Sequence, residues 1–445
     1  MYLAAANRLS SIKNRLSSIG NRLSAITAAY ALALPFVRIA LLPVVDAKIQ
    51  PTELLFLVLA PLALLTYKGS LWPKNTLLRA GLIAYLATNV LSAVVSQNLS
   101  AGLEALGRIY LAFLALIIAR YVADDPKRHA RQLLDYFLYG TAALAVFTYA
   151  GYAWAMTGEL NSMVQVYGNY PYLGTVLRAK GFTAGAGMLI IVLLLPTLYA
   201  WRGWRDGRLT IWWFLLLFPL GFLTFAKEFL LLGLGLLLID PWLRQRVWGR
   251  GRGMRGLVVG AVAIIFWLGT HYIVQQRRPF AETDLAGTNY TAGNVVWQST
   301  DYQIIETSYT ELKKAGVTVA ARHPVVGVGP GQFGRALPAE KAAGRYPASL
   351  PNYDPHSTWL GALSETGTLG FVALLFLVFV CWRSIRSCGT HVLPEDIRQS
   401  LLIFLLLIAI LSVSKDVMNF RFLWFGVGVL LCGTERGSGN VLRLS

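Results

Sequence analysis

The chain has 445 residues, 56% of them hydrophobic and only 14% charged, with a formal net charge of +18. At this length such a balance excludes an ordinary soluble fold and points to an all-α, polytopic integral membrane protein. Arg and Lys concentrate in alternate loops, so the positive-inside rule accounts for much of the charge and nucleic acid is not an expected partner.

Residues 1–26 are amphipathic rather than a compact apolar stretch before small residues, so no cleavable signal peptide is expected. They hold a repeat that begins at Asn7, Asn14 and Asn21 and sets Leu9, Ile12, Leu16, Ile19, Leu23 and Ile26 at heptad spacing. Three heptads are marginal for a coiled coil. A basic amphipathic helix over residues 1–25, lying on an anionic inner leaflet, is the reading adopted.

Twelve spans follow, at about 26–45, 51–67, 77–96, 103–122, 132–156, 182–201, 210–225, 228–242, 257–275, 358–382, 399–414 and 420–433. This divides the chain into nine spans within 26–275, a large loop at 276–357, and three spans with a short tail within 358–445. One set of loops carries Lys68 and Lys74, then Arg120, Lys127, Arg128 and Arg131, Arg202 to Arg208, Arg244 to Arg255, and Arg383 and Arg386. That set is assigned to the cytoplasm together with both termini. Cys381, Cys388 and Cys432 then lie at or near the cytoplasmic side, where a structural disulfide is not expected, and they lack the spacing of a metal site.

Residues 210–242 read as a hairpin because both flanks are basic. Each arm of about 15 residues reaches only ~23 Å, short of the ~30 Å apolar core. Lys227 and Glu228 at its tip are therefore expected below the outer surface, level with lipid phosphates. The outer face also receives Arg178 and Lys180 in the loop 157–181, and the loop 276–357, too long to be a mere connector.

Within that long loop, residues 302–320 read as an amphipathic helix ended by Arg322-His323-Pro324. The glycine-dense stretch Gly327 to Gly334 follows. Its backbone N–H groups are able to cradle a phosphate, but without a following GK[ST] a tight surface turn is preferred. His356 then stands at the mouth of the next span, after Pro355 and before Ser357 and Thr358, which suit a helix start. A helix N-terminus favours a neutral imidazole able to accept a proton. Gly367 and Gly370 offer close approach to a helix or lipid tail, and Glu365 needs a partner, with Lys227 or Arg421 as candidates. Glu365 reads equally as a helix-pinning ion pair or as a catalytic group.

These residues resemble the O-antigen ligase/polymerase superfamily of bacterial envelope glycosyltransferases. The resemblance rests on His356 with the following Leu, Glu-x-Gly and Gly through Gly370, and on Arg322 to Phe333, which is similar to the family's His-Pro and glycine-rich approach. It also rests on Arg178-Ala179-Lys180-Gly181-Phe182, and on many spans with one large outer loop before the histidine. The resemblance implies a GT-C-like, metal-independent enzyme of the bacterial inner membrane whose site faces the periplasm. Its donor would be a glycan on undecaprenyl pyrophosphate and its acceptor a sugar hydroxyl, on lipid A-core for a ligase or on a repeat unit for a polymerase. Where the family commonly has Ser-Arg at the hairpin tip, Lys227 stands nearest. Where it commonly has an Arg at the start of the loop helix, Thr307-Ser308-Tyr309 stands, leaving Arg277, Arg278 or Arg322 as candidates for that charge.

The resulting site has His356 as general base and Arg178, Lys227, Arg278 and Arg322 on the pyrophosphate, with Glu365, Lys180, Gly329 and Gly331 supporting and no metal or other cofactor. Pyrophosphate is a good leaving group, so its charge needs stabilising rather than protonating, while the acceptor hydroxyl needs a base near neutral pH. A polysaccharide or lipid transporter is the rival class, but the paired halves with broken helices and mid-membrane charges that would mark it are not evident. Ligase is preferred over polymerase.

Overall fold

The computed structural model describes residues 20–39, 50–68, 71–170, 174–241, 245, 252–276, 295–387 and 392–435. The expected amphipathic segment therefore lies largely outside the described residues, as do Cys388, Arg277 and Arg278. The first described helix, α1, covers residues 20–33 and ends earlier than the span expected to reach residue 45.

The next helices are α2 (Pro51–Tyr67), α3 (Thr76–Ser96), α4 (Leu99–Asp124) and α5 (Pro126–Ala155). Their starts are written in the sequence. Asn75, Asn98 and Asp125 each accept the hydrogen bond of a first-turn N–H, while Pro51 and Pro126 open helices whose first N–H needs no partner. After α5 the outer segment is not a plain loop but an antiparallel strand pair, β1 (Val164–Tyr170) and β2 (Gly174–Ala179). Then come α6 (Ala186–Arg205) and the hairpin of α7 (Ile211–Leu223) and α8 (Phe229–Ile239), close to the arms read from sequence. Gly221 lies against the Phe229 ring and brings the two arms together.

Helix α9 (Arg252–His271) leads directly into β3 (Tyr272–Gln276), which joins β4 (Val295–Gln298) and β5 (Tyr302–Glu306) in an antiparallel sheet of order β3-β5-β4. The fold is thus mostly helical but not all-α. The helix expected over 302–320 splits into β5 and α10 (Ser308–Arg322). Burial alternates residue by residue along β5, and the Ile304-Ile305 pair suits a pleated surface better than a helix face. Helix α11 (Phe333–Ala342) closes the outer segment, and α12 (Thr358–Ser387), α13 (Glu395–Leu411) and α14 (Arg421–Glu435) complete the bundle.

Among the described residues, five helices are long and apolar enough to cross a membrane, α3, α4, α5, α6 and α12, and five shorter apolar helices accompany them. The molecule has the build of a multi-pass membrane protein. Its core is a continuous apolar cluster in which α14 lies on α4 and α12 on α3. A Cβ at Gly428 would stand 2.7 Å from the Ala115 carbonyl, so glycine sets the α14–α4 approach.

The loops sort to two ends. At one, Arg205 pairs with Asp240 (3.3 Å) and Arg208 with Asp135 and Asp396 (3.4 Å each). At the other, Arg178 reaches the hairpin tip, Glu228 pairs with Lys415, and Arg335 bonds Asn98. Helix α6 joins them, with Arg205 at the first end and Gly187 against Glu228 at the second.

Candidate active site

The hairpin tip is the floor of the candidate site. Thr224 folds it, its hydroxyl accepting from Ala226 N–H (3.2 Å) and donating to the Gly221 carbonyl (2.7 Å). The Arg178 Nε, carried there by β2, donates to the Thr224 carbonyl at 2.7 Å, with the guanidinium 5.3 Å from the Tyr167 ring. Next along the tip, Lys227 Nζ donates to the Gly269 carbonyl (3.0 Å) and lies 5.4 Å from the centre of the Tyr309 ring.

The end of α9 and the start of α10 form one wall. Thr307 ties them together: its N–H donates to the His271 carbonyl (2.7 Å) and its hydroxyl to the Thr270 carbonyl (2.8 Å). The buried His271 donates through Nδ1 to the Trp267 carbonyl (2.8 Å), which leaves Nε2 to accept from Lys313 Nζ at 2.9 Å. Burial lowers the Lys313 pKa.

The opposite wall is the segment before α12. His356 takes up a left-handed backbone (φ 45°), which a residue with a Cβ rarely adopts. Asp354 Oδ1 accepts from its backbone N–H (2.7 Å) and lies 2.9 Å from its ring Nδ1. Partial burial raises the pKa of the Asp354 carboxyl, whose side chain is still 54% exposed, but the hydrogen bonds from His356 and the charge of Lys415 outweigh this and hold it below the usual range. The imidazole lies against the Tyr309 ring (centroids 4.4 Å apart, planes tilted by 47°) and keeps 22% of its side chain exposed. Both the His356 ring and the Lys227 ammonium therefore contact Tyr309.

Residues 412–417 bind this wall through Thr358. Its N–H donates to the Ser412 and Lys415 carbonyls (2.9 and 3.2 Å), its hydroxyl donates to the Lys415 carbonyl (3.0 Å), and that hydroxyl accepts from Val417 N–H (3.0 Å). This brings Lys415 to Glu228 on the hairpin tip at 3.3 Å. Three cations, Arg178, Lys313 and Lys415, consequently lie within electrostatic reach of a fourth, Lys227, with one buried carboxylate, Glu228, among them. So dense a cation cluster at the mouth of a helical bundle is suited to a multiply charged anion.

Residues 228–375 match the family model described as O-antigen ligase. Over this stretch the chain is similar to the O-antigen ligase/polymerase superfamily. The matched stretch runs from Glu228 on the hairpin tip past Glu365, and so contains Tyr309, Lys313, Asp354 and His356, while Arg178, Lys227 and Lys415 reach the same place from outside it. No curated protein sequence matches the chain.

Set against this family frame, the residues singled out from sequence divide. The structure brings Arg178, Lys227 and His356 together. Arg322 is elsewhere: it ends α10, ~21 Å along the helix from Ser308 at 1.5 Å per residue. There it pairs with Glu340 at 3.1 Å, beside Arg345 at 2.6 Å. Arg278 lies outside the described residues. Lys180 follows β2, and no hydrogen bond or ion pair of its ammonium is found among the described residues; its carbonyl accepts from Thr183 Oγ1 (2.7 Å).

Glu365 meets neither Lys227 nor Arg421. Its Oε2 pairs at 2.9 Å with Arg108 Nη2, both side chains buried, and Arg108 also donates to Asn89. Lys227 bonds Gly269 as above, and Arg421 donates through Nε to Glu53 (2.6 Å). The glycine stretch is neither surface turn nor phosphate cradle. Helix α12 is broken at Gly367 (φ 66°), and the glycine loop is spliced into the break. Val328 and Gly329 N–H donate to the Ser364 and Glu365 carbonyls (3.1 and 2.9 Å), Gly331 N–H to the Glu365 carboxylate, and Thr368 N–H returns to the Pro324 carbonyl (2.8 Å). Side chains at Gly327 or Gly367 would collide with the backbones of Glu365 or Val325, so Gly367 admits this loop rather than a lipid tail.

Asp354, Lys313, Lys415, Tyr309 and Arg108 were not identified from sequence as site or partner residues. Lys313 carried a signal: it lies four residues after Tyr309, hence on the same helix face.

Proposed function

We propose that this protein is an O-antigen ligase of the bacterial inner membrane. It would transfer a glycan from undecaprenyl pyrophosphate to a sugar hydroxyl of lipid A-core at the periplasmic face, without a metal. The observation that carries this is the grouping of Arg178, Lys227, Lys313 and Lys415 near the Tyr309 ring against which His356 lies, next to a hairpin too short to span a bilayer.

In this reading the acceptor oxygen bonds to the anomeric carbon of the donor's first sugar as the bond from that carbon to the pyrophosphate oxygen breaks. The leaving pyrophosphate keeps the electron pair and its growing charge is met by the cations. The hydroxyl proton passes to His356. Glu228 holds Lys415 in place until the anion competes for it.

The test is transfer in vitro by the purified protein, in the presence of a chelator, from a polyprenyl-pyrophosphate glycan offered lipid A-core and repeat units separately. Transfer to lipid A-core is expected. Elongation of repeat units alone would make the protein a polymerase, and no transfer to either would overturn the reading.

Two further results are expected. Arg178→Ala and Lys227→Ala should each weaken donor binding by about 10- to 100-fold, the range for a hydrogen bond to a charged group, and Lys227→Arg should retain more binding than Lys227→Ala. Donor binding by purified variants measures this, and unchanged affinity in both Ala variants would separate these cations from the donor. In a cysteine-free background, Thr300→Cys should react with an impermeant thiol reagent in intact spheroplasts and Lys127→Cys should not. The reverse labelling would invert the topology, in which residues 276–357 face the periplasm and twelve spans cross the membrane.

A further inference from the structure

We propose that Asp354 is a positioning residue that fixes the tautomer and orientation of His356, so that Nε2 is the atom presented to the acceptor hydroxyl. This rests on the reading of His356 as the base.

One carboxylate oxygen, Asp354 Oδ1, serves two N–H groups of the same residue, the backbone N–H at 2.7 Å and ring Nδ1 at 2.9 Å. An ionised carboxylate only accepts, so the proton sits on Nδ1 and the lone pair on Nε2. The turn that makes this reachable is local. Asp is suited to accepting from the backbone two residues on, and Pro355 between them has a fixed φ and is itself buried. His356 closes the turn at a positive φ that its side chain would otherwise disfavour. Tyr309 at 4.4 Å and Tyr353 at 6.1 Å then flank the ring and limit its rotation. Charged groups facing this pair include Lys415 and Asp416, both from the 412–417 segment, and Lys227 from the hairpin tip lies against the Tyr309 ring beside it.

The consequence for the reaction is specific. As the acceptor oxygen bonds to the anomeric carbon, its proton passes to Nε2 and the ring becomes an imidazolium with N–H on both nitrogens. Asp354 faces the Nδ1 side of that cation, where its negative charge is most useful. The proton is later lost to water.

Asp354→Asn separates this role from mere turn formation. Asparagine also supports such turns, so the loop survives. Its neutral amide leaves the imidazolium without a counter-charge, and its NH₂ is able to donate to Nδ1 and place the proton on Nε2. Turnover number should fall by about 10²-fold or more while KM for the lipid donor stays within about twofold. Asp354→Glu should recover part of the loss. Full turnover in Asp354→Asn, with His356→Ala inactive, would sink this inference and leave the base intact. Full turnover in His356→Ala would sink the base itself. A second measurement does not depend on any Asp354 variant folding. In ¹⁵N-histidine-labelled wild-type protein, with the His356 signals assigned by their loss in His356→Ala, Nε2 should resonate as an unprotonated nitrogen at neutral pH. A protonated Nε2 in the neutral ring would overturn the assignment.

Discussion

Replacing His356 by alanine should remove about 10²–10⁴-fold of turnover, the usual contribution of a general base, and leave a folded protein that still binds the lipid-linked donor. The fold is expected to survive because the wall that holds the histidine is fastened by other groups, chiefly the hydrogen bonds of Thr358 to residues 412–417. Donor binding is expected to survive because the cations come from β2, the hairpin tip, α10 and the 412–417 segment, not from the imidazole. Because alanine inherits the positive φ, His356→Asn serves as a second variant that tolerates it better. His323 supplies the control. It is exposed at the end of α10, where its backbone bonds Val319 and Gly327, and its replacement by alanine should change turnover little. Near-normal turnover in both His356 variants, with His323→Ala inactive, would transfer the role to the other histidine.

Arg108→Ala should destabilise the protein by about 3–5 kcal/mol, the range for breaking one side of a buried ion pair. Its guanidinium supplies the charge that balances Glu365 inside the bundle and the hydrogen bond to Asn89 on α3. Without it the buried carboxylate loses its counter-charge. The double variant Arg108→Ala with Glu365→Ala removes both charges and should recover part of the loss, a non-additivity characteristic of a directly coupled pair. Thermal unfolding in detergent reads both. An Arg108→Ala protein that unfolds at the wild-type temperature would show that the pair contributes nothing. Glu365→Gln should keep most turnover, since the carboxylate is enclosed by Arg108 and the glycine loop rather than facing the cation cluster.

The apolar helices were legible because their signal is local. Runs of aliphatic residues, Asn and Asp caps, and basic loops at alternate ends mark each helix without reference to its neighbours, and the hairpin was deduced from the charge of its flanks. What escaped depended on partners far away in sequence. Glu365 could be recognised as needing a cation, but Arg108, 257 positions earlier, became the partner only once α4 was placed beside α12. Lys415 is one lysine in a short loop between two spans, and nothing in that loop marks it until Thr358 is seen to hold its backbone beside His356. In sequence Gly367 offers close approach to a helix or lipid tail, because a glycine in an apolar run gives no sign of which backbone enters beside it. Asp354 is the exception. It stands two residues from His356, with proline between, and the turn it makes follows from those three residues alone.

The splice of the glycine loop into α12 has a mechanical consequence. Residues 324–329 supply hydrogen bonds that the interrupted helix lacks, and the helix supplies theirs, so neither can open without leaving the other's amides and carbonyls unmatched within a buried setting. The outer segment is therefore not a free lid: pulling it upward means melting a turn of a membrane-embedded helix. Under the function proposed above, a long, lipid-borne sugar chain would use routes that leave this joint closed, entering sideways from the bilayer past the hairpin tip. The rigidity that bars a swinging lid also keeps the histidine and the cations in register while bulky substrates come and go.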